Sequence, residues 1–363
     1  MALAALAAAG CGGPSPHAIV VGAVDDAAKG ADPAGSMRLA RDSGFGAVAL
    51  SAIWTPPLTE PPPDELARLR GAVEAAAAAR IRPLVAVYSF SGATPLTDEA
   101  RAQFASFAAS IPRLLPRVRD VIVGNEPNLN LFWMPQFAAD GSDAAAPAYL
   151  ALLTASYDAI KAVDPAVNVI GGALAARGAD RPGGSRPTHS PTRFLEDLGA
   201  AYRASGRDRP VLDMFALHPY PESSRVPPDL EHPSSTAIGL ADYGKLTDLL
   251  EEAFGYAPPL VYGEYGVQTE IPAEERGAYT GAEQPATRPV DAATQGRAYV
   301  EALRLAACQP LVRMLLLFHV SDEPRLEGLQ TGVRYADGRP KPDLAEVART
   351  ARAAAKGTLE CRS

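Results

Sequence analysis

Short apolar runs and longer amphipathic segments alternate eight times along the chain, and this rhythm limits the fold more than any other feature. The runs occupy residues 18–24, 47–53, 83–87, 121–123, 168–173, 211–217, 260–264 and 314–319. They are continuously apolar rather than alternating, as strands covered on both faces must be. Between them, apolar residues recur at helical spacing, as in Leu150, Leu153, Tyr157 and Ile160, before Pro165 closes the segment. Asp32 before Pro33 and Ser190 before Pro191 each pair an N-cap side chain with a first-turn proline. Helices are expected over 33–43, 63–79, 98–115, around the Leu150 face, and over 192–203, 242–254 and 290–308. Lys341-Pro342-Asp343 starts a last one, with Leu344, Val347 and Ala351 facing inward. Eight strand–helix pairs at roughly forty-residue intervals predict a single closed parallel barrel, the (β/α)8 or TIM barrel.

The connections add a direction. Links from helix to strand are short, as at 79–83, whereas those after strands four to seven are long and rich in Gly, Pro and aromatics. The elongated βα loops therefore crowd the C-terminal face of the barrel, where such folds build their sites. A chain of 363 residues, 47% hydrophobic and 21% charged, can fill one large core, and barrels run past 200 residues as one unit. Residues 17–363 are accordingly expected to form one domain and a monomer. The net charge of -8 and the lack of a Lys/Arg cluster exclude a nucleic-acid surface and disfavour a polyanionic ligand. A neutral ligand remains.

Residues 1–16 stand apart. An Ala/Leu run leads to Ala8-Ala9-Gly10-Cys11 and then a Gly/Pro/Ser stretch, similar to the end of a bacterial lipoprotein signal. No Lys or Arg precedes the short run, so a plain Ala-rich terminus is the alternative. Export to the cell surface, with a lipid on Cys11 as the only membrane attachment, is the expectation. No later stretch reaches the roughly 18 apolar residues of a membrane span. If Cys11 is lipidated, Cys308 and Cys361 are left as a pair, which suits an oxidising compartment. Each follows one of the last two helices, so both fall at the bottom edge of a barrel and a disulfide is expected, provided their Cα atoms lie within about 7 Å. No Cys or His cluster has zinc spacing, and neither metal nor cofactor is expected.

Two strand ends carry chemistry. Val121-Ile122-Val123-Gly124-Asn125-Glu126-Pro127 runs β-branched residues into a carboxylate, and Leu260-Val261-Tyr262-Gly263-Glu264 does the same at the seventh strand. Cleaving an acetal needs one group to protonate the departing oxygen and another to trap the developing cation, and two carboxyls do both. Glu126 would be the proton donor and Glu264 the ionised nucleophile.

With those residues in view, the span from about residue 18 to residue 355 resembles the clan of retaining glycoside hydrolases on (β/α)8 barrels, including cellulase-like and β-xylosidase-like families. The resemblance implies cleavage of a β-glycosidic bond in a neutral oligo- or polysaccharide through a covalent glycosyl-enzyme intermediate. Asn125-Glu126-Pro127 matches the acid/base signature of strand four, whose Asn holds the sugar 2-hydroxyl. Glu264 matches the nucleophile of strand seven, and His218-Pro219-Tyr220 resembles the segment that orients it. The stretch 332–342 is similar to the loop before the final helix. Two departures stand out: strand eight ends in Phe318-His319 rather than a Trp platform, and Trp54 occupies the region where an Arg is expected.

Trp54, Tyr88, Trp133, Tyr220, Tyr265 and Phe318 are aromatics at or beyond strand ends that could stack on a pyranose or merely cap the core. Asp25 and Asp26 could take hydroxyls or cap a helix, and His319 could bond a hydroxyl or Glu264. Asn128 and Asn130 carry less weight. The atypical eighth strand keeps open a catalytically weak carbohydrate-binding protein on the same barrel. A metal-dependent hydrolase is a third reading, with Asp25, Glu126, His218 and His319 too scattered to form a ligand motif.

Overall fold

The computed structural model describes residues 15–283 and 288–361. Eight parallel strands close into a barrel in sequence order, β1 (Val20–Val24), β2 (Ala47–Ile53), β3 (Arg82–Tyr88), β4 (Asp120–Val123), β5 (Asn168–Ala175), β6 (Met214–His218), β7 (Leu260–Tyr265) and β8 (Val312–Phe318). The helices that follow them are α1 (Pro33–Asp42), α2 (Pro63–Ala78), α3 (Asp98–Leu114), α4 (Ala145–Val163), α5 (Pro191–Ala204), α6 (Tyr243–Phe254), α7 (Ala292–Ala307) and α8 (Leu344–Lys356). The single (β/α)8 barrel expected from the sequence is the architecture observed. Strand six begins at Met214 rather than at residue 211, because Val211 and Leu212 are buried ahead of the ladder without joining it.

Strand alternation sorts the apolar residues into two layers. Ala47, Ala49, Leu84, Ile122, Ile170, Ala216, Val261, Met314 and Leu316 form one cluster inside the barrel. Their strand neighbours, such as Val48, Leu50, Val85, Val121 and Leu315, join the larger cluster packed against the helices. The capping side chains work as read: Asp32 accepts from Gly35 N and Ser190 from Arg193 N.

Cys308 follows α7 and Cys361 follows α8, and the two are disulfide-bonded with Cα atoms 5.7 Å apart. Cys11 lies outside the described residues. Among the described residues, no helix is long and apolar enough to cross a membrane.

Candidate active site

The end of β4 is held from both sides. Gly124 has a φ of +91°, and a Cβ there would come within 2.8 Å of Tyr149 Cε2. Tyr149, fully buried on α4, donates its hydroxyl to Val123 O at 2.7 Å and accepts from Gly172 N at 2.8 Å, tying β4 to β5. Two residues on, Glu126 itself takes a φ of +40° and its N–H donates to Ala173 O at 2.8 Å. Ala173 sits in the irregularity where β5 shifts register against β6. The side chain of Asn128 is buried and bonded to Ala175 N, Ala175 O and His189 O, so it braces the loop.

Glu264 comes from inside β7, after Gly263. A Cβ on Gly263 would stand 3.0 Å from His218 Cδ2 and Nε2, so the glycine makes room for the imidazole. His218, at the end of β6, places Nδ1 3.2 Å from Glu126 Oε1 and 3.7 Å from Glu264 Oε2. The two carboxyl oxygens thus lie no farther apart than those distances combined. That ceiling admits the separation of about 5–5.5 Å typical of retention and excludes most of the 6.5–9.5 Å typical of inversion. Tyr220 OH donates to Glu264 Oε2 at 3.0 Å. The Glu126 and Glu264 side chains are 15% and 17% exposed, so a ligand can reach both.

Electrostatics separate the groups. Burial pushes the Glu264 carboxyl above its usual range; His218 opposes this, Glu126 reinforces it, and the Tyr220 hydroxyl opposes it. For His218, burial favours the neutral ring, but the Glu264 and Glu126 carboxylates outweigh it and raise its pKa. Burial and then Glu264 drive Tyr220 far up, so its hydroxyl stays protonated as a donor.

A cavity of about 320 Å³ contains both carboxyls, His218 and Asn125, with Tyr88, Phe318 and His319 in its wall. Burial, followed by the Asp26 carboxylate, pushes Tyr88 to about 12. His319 adopts a φ of +90°, packs its ring on Phe318 at 4.1 Å, and leaves Nδ1 buried without a partner. Tyr220 instead lines a second cavity of about 470 Å³ that shares Glu126 with the first.

Four of the sequence candidates are placed elsewhere. Trp54 is fully buried, donates Nε1 to Leu58 O at 2.7 Å, and packs edge-on against Phe104 of α3. One residue past Ile53, alternation sends its ring out to the helix layer. Trp133 is buried edge-on against Tyr149, and Tyr265 against Tyr299. Asp25 is buried and spends its carboxylate on Ala27 N and Val320 N, capping the turn after β1. Phe90 and Phe132, which sequence reasoning passed over, line the cavity that contains both carboxyls. As single apolar residues in loops they carry no signal beyond closeness to the ends of β3 and β4.

No protein-family model and no curated protein sequence matches the chain. Solved structures do. A monomeric β-xylosidase from Caulobacter crescentus CB15 superposes with a TM-score of 0.59 at 18% identity, over 93% of this chain and 68% of that one. A broad-specificity GH5-4 endoglucanase from Clostridium longisporum gives 0.59 at 10%, over 90% and 86%. An exo-β-1,4-mannosidase from an Opitutaceae bacterium, strain TAV5, gives 0.55 at 17%, over 98% and 63%. At such identities the likeness establishes the fold: the chain is a (β/α)8 barrel of the form these glycoside hydrolases use.

Proposed function

We propose that the protein is a retaining β-glycosidase acting on a neutral saccharide, with Glu126 as acid/base and Glu264 as nucleophile. The observation that carries this reading is the convergence of the two carboxyls on one imidazole at the mouth of the barrel. A Glu264 oxygen attacks the anomeric carbon while Glu126 protonates the departing oxygen, so the glycosidic bond breaks and a glycosyl ester forms. Water then gives its proton to Glu126 and displaces Glu264 from the sugar. Tyr220 and His218 stabilise the ionised nucleophile against its burial. Asn125 takes the 2-hydroxyl, and Tyr88, Phe318 and His319 shape the sugar pocket.

A neutral sugar fits because Asp26, Glu126, Glu264 and Glu323 line the cavity, with histidines as the basic side chains there. The similar structures are a xylosidase, a glucanase and a mannosidase, so the fold leaves the sugar open. We further propose that the protein is exported with a lipid on Cys11, which the Cys308–Cys361 disulfide supports.

Replacing Glu264→Ala is expected to abolish turnover of an aryl β-glycoside, and added azide to restore it with an α-glycosyl azide as product. Retained activity without azide would remove Glu264 from the nucleophile role. If the unaltered protein binds saccharides yet turns over no glycoside, it is a carbohydrate-binding protein instead.

A further inference from the structure

Among the described residues, nine large hydrophobic side chains are exposed, and five of them, Ile53, Phe90, Leu96, Leu131 and Met134, belong to the tip of β2 and the loops after β3 and β4. Clustering on this scale marks a contact surface rather than scattered exposure. The two loops are joined: Ser91 N donates to Leu131 O at 3.0 Å and Met134 N to Thr94 Oγ1 at 3.1 Å. Within the patch, Phe90 and Phe132 stack with ring centroids 5.6 Å apart and planes 24° from parallel. Tyr88 meets both rings edge-on, each at 5.9 Å, and so holds the pair in place. Phe90 is 44% exposed, which leaves it free to receive a flat partner.

The position of the pair relative to the carboxyls sets its role. The ring being cleaved must touch both carboxyls, and only the 320 Å³ cavity contains both among the cavities described above. The 470 Å³ cavity shares Glu126 alone, the group that hands its proton to the departing oxygen, and therefore receives the leaving group. Phe90 and Phe132 line the first cavity and take no part in the wall of the second.

We propose that the Phe90–Phe132 stack is a subsite for a second sugar ring on the non-leaving side, so the substrate is a saccharide chain cleaved internally rather than a single glycosyl unit. The inference rests on the glycosidase reading and deepens it. The apolar face of a pyranose packs on an aromatic ring without stranding its hydroxyls, which point outward from the ring edge to water. The patch continues the cavity that holds the reacting ring, which favours the same chain as its occupant over a second copy of the protein. Room on both flanks of Glu126 accommodates chain on either side of the scissile bond.

The test uses 4-nitrophenyl β-glycosides of xylose, glucose and mannose beside those of their β-1,4-linked disaccharides, so that only the non-leaving side differs. Wild type is expected to prefer a disaccharide glycoside in kcat/KM. Phe90→Ala should reduce that preference, read as the ratio of disaccharide to monosaccharide kcat/KM, roughly threefold to tenfold, the weight of one aromatic contact. Phe90→Trp should retain the preference, and thermal melting confirms that each variant is folded. Equal rates on mono- and disaccharide glycosides, or a Phe90→Ala variant that changes only the sedimentation behaviour, would overturn this inference alone. Absence of turnover on every glycoside, disaccharides included, would overturn the glycosidase reading and this one with it.

Discussion

Tyr220 contributes a single hydrogen bond to Glu264, and its direction fixes its effect. A hydroxyl donated to a carboxylate favours the charged form, so it pulls the Glu264 pKa down against burial. The proposed mechanism requires that charge on Glu264, so activity is expected to be lost as pH falls through the Glu264 value, which stands above the ordinary carboxylate range. Tyr220→Phe removes the donor, raises Glu264 further and is expected to move the acid limb of kcat/KM to higher pH. At neutral pH the loss in kcat/KM should be about tenfold or more, the value of a hydrogen bond to a charged group. A pH profile whose acid limb stays put or moves down would show that the hydroxyl does not act on the nucleophile.

The loops after β7 and β8 are clasped by an ion pair that the sequence does not advertise. Lys341 Nζ lies 2.9 Å from Asp322 Oδ1 and 2.7 Å from Thr269 Oγ1, and both charged side chains are almost wholly buried. Tyr279 OH donates to Asp322 Oδ2 at 2.7 Å and Gly332 N to Oδ1 at 2.8 Å. Removing one partner strands the other in a site without solvent, so Lys341→Met should destabilise by about 3–5 kcal/mol in urea unfolding. The double variant Lys341→Met with Asp322→Leu should recover a large part of that. A single variant as stable as wild type would mean the clasp carries no net energy.

In the sequence Lys341 was legible only as the start of a helix, because a lone lysine reads as exposed. The strands and helices were legible for the opposite reason: two-sided burial and one-sided helix burial leave different periods. Glu126 and Glu264 stand out in the sequence because a carboxylate closing an apolar run conflicts with its surroundings. Of the two readings open for Trp54, the alternation along β2 selects the core one, since it carries the ring into the helix layer rather than to the barrel mouth. The positive φ at His319 and the stacking of Phe90 on Phe132 arise from tertiary geometry with no period of their own.

A closed barrel depends on its last unit, because β8 must pair with β1 at the other end of the chain. Val20 lies opposite Met314 and Val24 opposite Phe318, so closure joins segments nearly 300 residues apart in sequence only when α7, β8 and α8 are all in place. The Cys308–Cys361 bond brackets β8 and α8 within 53 residues of chain, and α8 also packs on α7 and β1. Constraining a loop of that length in the unfolded chain stabilises the fold by roughly 2–4 kcal/mol. Reduction, or Cys361→Ser, should therefore lower the melting temperature by several degrees. The bond lies at the strand N-terminal end, where α7 feeds β8, while the carboxyls lie at the strand C-terminal end. Turnover at 25 °C should consequently be unchanged by reduction even as thermal tolerance falls. A melting temperature indifferent to reductant would mean that barrel closure is secured by strand pairing and helix packing alone; a loss of both activity and stability would mean that the last unit detaches as a whole, taking Phe318 and His319 out of the cavity wall.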